Sequence, residues 1–165
     1  MIEIVPESPE RHAKMIEVLF DRTFGPGHFA KTAERFREFS ASLPLLNRVA
    51  VEDGEVVAVT RIWPLEIETG GEALFVGPVA VDPRHRGNRL GLQVTSASLA
   101  AAKEGGWTFA LLIGAPAYFG EIGFKPMRTG QFVLPGPQDY SRVMLCELNG
   151  KAEEFSGVIR ANLSV

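Results

Sequence analysis

The stretch FVGPVAVDPRHRGNRLGLQV, residues 75–94, decides how the rest of this chain is read. It begins as an apolar strand, breaks at Gly77-Pro78, passes through Arg84, His85, Arg86 and Arg89, and ends in helix-forming residues. Proline has no N–H for a sheet ladder and glycine inside a strand often marks a bulge, so the ladder is expected to be interrupted there. An interrupted ladder leaves backbone N–H and C=O groups open to an extended ligand; a purely structural bulge is the alternative. Gly87 permits a tight reversal, and a helix starting near Arg89 or Leu90 turns its orphan N–H groups back on the junction, a setting for phosphate or pyrophosphate. The competing reading is a solvated patch of arginines, but charge, glycine and a strand-to-helix turn coincide here, which favours an anion site.

Working outward, EALFVGPVAV (72–81) is apolar nearly throughout and is expected to be covered on both faces. Before it, NRVAVEDGEVVAVTRIWPLEI (47–67) alternates on either side of Asp53-Gly54, which predicts an antiparallel hairpin. After it, Arg89 to Glu104 is rich in Leu and Ala, lacks proline and stops at Gly105-Gly106, a helix with a glycine terminator. WTFALLIG (107–114) reads as a buried strand, APAYFGEIGF (115–124) as a short helix entering a Gly-Phe turn, and SRVMLCEL (141–148) as a late strand. At the N-terminus, a strand over Ile2 to Val5 precedes a helix over Pro9 to Phe24. Ala13, Ile16, Leu19 and Phe20 fall at helical spacing and Ser8-Pro9 gives the starting signal. GPGHF breaks that helix and a second is predicted over 30–43. The order is β α α β β β α β α β in one domain spanning 1–165, with no assignment after Gly150: a mixed α/β fold.

Bulk properties exclude several functions. No apolar run approaches the roughly 20 residues of a membrane helix, so a soluble protein without a membrane partner is expected. A net charge of −3 supplies no basic field, so nucleic acid is not expected and anion recognition must be local. Cys146 is the only cysteine and the N-terminus has no signal pattern, which fits the cytoplasm. Three histidines and one cysteine form no metal-ligand spacing, so no metal is expected. GPGHFAKT (25–32) only mimics a P-loop, because Ala30 precedes Lys31 and a helix, not a strand, leads into it. GNRLG lacks the three-glycine spacing of a dinucleotide fingerprint.

The junction and the Gly-Phe turn together resemble the GNAT superfamily of acyl-CoA-dependent N-acyltransferases. Val81, Pro83, Arg86 and Gly91 match that family's pyrophosphate motif, and Arg89 stands where its first glycine is expected. By element order the resemblance covers residues 2–148, and FGPGHFAKTAERFRE and LPGP are similar to a branch of small bacterial acetyltransferases. It implies a mixed, mostly antiparallel central sheet with a splayed, bulged strand and flanking helices. It further implies acetyl-CoA as co-substrate, and an amine of a small molecule or peptide that attacks the thioester directly. Backbone groups of Val79, Ala80 and Val81 would hold the pantetheine arm, with a free N–H near the Gly77-Pro78 bulge facing the thioester oxygen. Arg86, Gly87, Asn88, Arg89, Leu90, Gly91 and Leu92 would take the pyrophosphate.

The same resemblance implies a tyrosine as proton donor to the departing thiolate, four residues before the turn glycine. That position is Phe119, a non-donor placed here with the cofactor-binding residues, and the neighbouring Tyr118 becomes the catalytic candidate, with amphipathic packing as its alternative. Base candidates are Glu66, Glu68, Glu72, His28 and His85, against solvated carboxylates and structural imidazoles. Phe24, Phe29 and Trp63 hint at a partly apolar acceptor site, core packing being the rival use. The second functional reading is an acyl-CoA-binding or regulatory module with weak or lost catalysis. A homodimer stays open.

Overall fold

In the computed structural model, which describes residues 1–25, 41–136 and 139–162, strand β1 (Ile2–Pro6) leads into helix α1 (Pro9–Phe24). Ile16, Leu19 and Phe20 of α1 are buried as their spacing predicts, but Ala13 is exposed and His12 takes the inward place. The Ser8 start is altered too: its hydroxyl makes no capping bond, and Nδ1 of His12 accepts the Ser8 N–H at 2.9 Å. This imidazole is therefore structural, satisfying a backbone donor at the helix entry. The helix expected over 30–43 falls largely on residues 26–40, outside the described residues.

The predicted hairpin forms from β2 (Arg48–Glu52) and β3 (Glu55–Ile67). Asp53 and Gly54 sit at φ 51° and 80°, as a two-residue turn between right-twisted strands requires. Strand β4 (Glu72–Val81) returns along β3 and runs through a short turn, Pro83–His85, into helix α2 (Leu90–Glu104). A left-handed Gly106 closes α2: its N–H reaches the Lys103 carbonyl at 3.1 Å while that of Trp107 reaches Ala102 at 3.2 Å. Strand β5 (Phe109–Ile113) follows, then the short helix α3 (Pro116–Phe119) and a tighter turn, Gly120–Ile122, ending at Gly123 with φ 101°. The remaining strands are β6 (Lys125–Pro126), β7 (Phe132–Val133), β8 (Val143–Glu147) and β9 (Gly157–Ala161).

The main path through the sheet is β1-β2-β3-β4-β5-β8-β6, antiparallel throughout except at β4–β5. The region left unassigned after Gly150 is not featureless: β9 pairs with Leu65–Ile67 of β3 and with β7. Alternation divides the core. Phe75, Leu111, Val143 and Leu145 point to one face with Phe109, Phe132 and Trp63. Leu74, Val76, Leu112 and Met144 point to the other, against Leu92 and Leu99 of α2 and Phe119. Strand β4 is thus covered on both faces, as its apolar run predicts. Among the described residues no helix is long and apolar enough to cross a membrane.

Candidate functional site

The site begins where two parallel strands part. β4 pairs with β5 only at Leu74–Val76, opposite Ala110–Leu112, whereas β5 stays paired with β8 as far as Ile113. Beyond Val76, the edge of β4 that faced β5 has no strand beside it among the described residues, so Gly77 to Val81 line one arm of a fork. The other edge of β4 stays on β3, but its register shifts. Thr60 opposes Val79 while Ile62 opposes Val76, so Gly77 and Pro78 face Arg61 alone. Two residues against one is a β-bulge, and it lies at the break the sequence predicts.

Side chains fix this bulge from one face. The indole Nε1–H of Trp63, itself buried, donates to the Gly77 carbonyl at 2.6 Å. Arg61 donates to Oε1 of the buried Glu7 at 2.9 Å, and its guanidinium lies 5.4 Å from the Phe20 ring centre. Asn47, fully buried, bonds the other Glu7 oxygen at 2.7 Å and accepts the Ile62 N–H at 2.7 Å. Trp63, considered from sequence for an apolar acceptor site, instead packs in the core and holds the bulge.

Where β4 ends, most of the positive charge is already matched. Asp82, only 2% exposed, accepts from Arg22 at 2.7 Å and from the backbone N–H and guanidinium of Arg84 at 2.9 and 3.1 Å. Those bonds, Arg84 first, hold its carboxyl down to about 2 in spite of burial. His85 bonds Glu52 through Nε2 at 3.0 Å, and Asn88 approaches its Nδ1 at 3.4 Å. Arg89 bonds Glu121 at 3.0 Å. Among the described residues Arg86 alone of the four basic residues at the junction has no carboxylate partner, and it is exposed. The basic junction is therefore mainly a bracket joining α1, the hairpin, β4 and the turn after α3, with one arginine left over.

Arg86, Gly87 and the first turn of α2 line a cleft of about 370 Å³ together with Val81, His85, Arg89, Tyr118 and Glu121. Gly87 has φ 88°, and Arg89, the residue before α2, is left-handed at φ 65°. That conformation gives the expected glycine at this position its physical reason. The Arg89 side chain turns out to Glu121 and leaves the helix N-terminus to the cleft. At Gly91 a Cβ would stand 2.6 Å from the Tyr118 hydroxyl and 3.2 Å from a Val81 methyl. Tyr118 thus rests on the first turn of α2. Phe119 is buried in the cluster with Val76 and Leu112, the last pair before the fork, and its ring lies where a Cβ on Gly114 would be.

The remaining sequence candidates are dispersed. Glu66 opposes Glu72 at the closed end of β3–β4, some five residues from the bulge or about 16 Å along a strand, and Glu68 accepts the Val158 N–H at 2.7 Å. His85 is paired with an acid, which its sequence neighbourhood did not reveal because Glu52 lies on another strand. His28 and Phe29 lie outside the described residues. Among the described residues no group of His, Cys, Asp or Glu is disposed to hold a metal.

The family described as "Acetyltransferase (GNAT) domain" matches residues 13–127. Over 113 residues, 67% of this chain, the sequence is 30% identical to "Uncharacterized N-acetyltransferase YhbS" of Escherichia coli K12, and the match spans 66% of that relative's length. Among solved structures, the Escherichia coli GNAT family N-acetyltransferase YhbS in complex with CoA superposes with TM-score 0.77, at 24% identity, over 98% of this chain and 89% of that one. A GNAT family acetyltransferase from Brucella melitensis in complex with acetyl-CoA gives 0.63 at 23% identity, over 87% and 95%.

Proposed function

The chain belongs to the GNAT acetyltransferase family, and on that premise we propose that it moves an acetyl group from acetyl-CoA to an amine, in the cytoplasm. The observation that carries this reading is continuity. The bulge, the unpaired edge of β4 and the cleft at the start of α2 follow one another along a single strand-turn-helix. An extended pantetheine arm suits the first two and a pyrophosphate suits the third.

Each part has its chemistry. Helix N–H groups and the Arg86 guanidinium bind the pyrophosphate through charge-assisted bonds. Backbone groups of Val79, Ala80 and Val81 hold the arm in place of a neighbouring strand. The amine nitrogen attacks the thioester carbonyl carbon, a C–N bond forms, and the oxygen becomes negative. A preorganised N–H beside the bulge stabilises that charge. The C–S bond then breaks, the thiolate leaves, and the nitrogen gives up a proton to water.

Tyr118 is reassigned in this scheme. Its hydroxyl lies against Gly91 at the helix start, which supports a ligand for the phosphate end of CoA and not a proton donor to sulfur. Phe119, at the apex of the fork, has no proton to give. This favours a second reading, a CoA-binding module with slow chemistry in which water protonates the thiolate. Calorimetry with acetyl-CoA followed by thiol release with a panel of primary amines separates the two. Micromolar binding with amine-dependent release is expected; binding without release selects the module, and no binding removes both.

A further inference from the structure

We propose that Trp63 is a positioning residue that tips the Gly77 carbonyl out of the sheet and thereby aims the backbone beyond Pro78 at the carbonyl of the acyl donor. The inference rests on the acetyl-CoA reading above. In a regular antiparallel pair, Trp63 would oppose Phe75 and touch Gly77 only as a diagonal neighbour, with the Gly77 carbonyl lying in the plane of the sheet. Strand side chains stand roughly perpendicular to that plane. A 2.6 Å bond from the indole to the Gly77 oxygen therefore requires the carbonyl to be turned towards the Trp63 face.

Peptide units rotate as rigid planes, so turning this carbonyl sets the direction of the chain entering Pro78. Proline offers no N–H, and the next donor is that of Val79, on the arm of the fork that has left β5. Arg61, the single residue facing the bulge, is fixed on the same face by Glu7, so the strand under the bulge does not slide to absorb the turn. The indole bond ties a side chain directly to the bulge backbone. Its loss removes that restraint on the peptide plane.

The test compares acetyl-CoA with ethyl-CoA, a thioether that keeps every contact except the carbonyl oxygen. The wild-type chain is expected to bind acetyl-CoA more tightly, by about threefold to tenfold for one hydrogen bond. Trp63→Phe keeps the ring and removes the donor; it is expected to erase that preference while ethyl-CoA affinity stays within twofold. A preference that survives in Trp63→Phe, or its absence in the wild type, overturns the inference. Failure of the wild type to bind either ligand overturns instead the reading on which it rests. Should the variant not fold, the wild-type indole N–H resonance of Trp63, assigned against Trp107→Phe, serves in its place. It is expected to shift with acetyl-CoA and not with ethyl-CoA, and equal shifts with both contradict the proposal.

Discussion

Charge at the junction is settled residue by residue, and pairing separates two arginines that look alike in sequence. Arg84 is bonded to the buried Asp82, whereas Arg86 meets no carboxylate among the described residues. Arg86→Ala is therefore expected to weaken CoA binding roughly tenfold or more, as loss of a charged hydrogen bond does. Arg84→Ala should lower the denaturation midpoint and leave the affinity unchanged. Titration with CoA beside urea unfolding of both variants checks the contrast. Asp82 adds a pH dependence. Its pKa falls to about 2 in the fold from about 3.9 in an unfolded chain. Its stabilisation is thus complete above about pH 4 and is lost as pH falls through 2. Urea midpoints measured from pH 5 to pH 2 should fall, and Asp82→Asn should flatten that part of the slope. The sequence displayed the basic residues but not the partners of His85 and Arg89, because Glu52 and Glu121 reach the junction only through folding, as does the second arginine on Asp82, Arg22.

At the scale of elements, the fork and the two aromatic residues of α3 decide how fast the chemistry can run. Phe119 lies buried beside the last β4–β5 pair, whereas Tyr118 lies on the first turn of α2. Phe119→Tyr is expected to raise kcat for amine-dependent thiol release with little change in the KM for acetyl-CoA. Tyr118→Phe should act on that KM and spare kcat. Steady-state kinetics on the two variants decide between these roles. Elements with strong periodicity were legible: α1, the hairpin, β4, α2 and β5 all lie where spacing, Asp53-Gly54 and Gly105-Gly106 put them. Strands β6 and β7 are two residues each and carry no period to read. Strand β9 follows a polar stretch and is defined by its partners on β3 and β7, not by its own pattern. The bulge was legible from Gly77-Pro78, but Trp63 was not, since its bond crosses between strands.

For the molecule as a whole, the sheet is continuous at one end and split at the other. The end closed by β3, β9 and β7 supplies a rigid base. The bracket around Asp82 ties α1, the hairpin and β4 together beyond the split. A ligand threaded along β4 would thus complete a sheet whose two arms are already held apart, with little reorganisation on binding. The direct measurement is a titration of the ¹⁵N-labelled chain with acetyl-CoA, followed amide by amide. The account predicts shifts centred on Val79 to Val81, Arg86 to Leu92 and Tyr118, with Glu66 and Glu72 at the closed end unmoved. Shifts centred elsewhere, or none at saturating ligand, would contradict it.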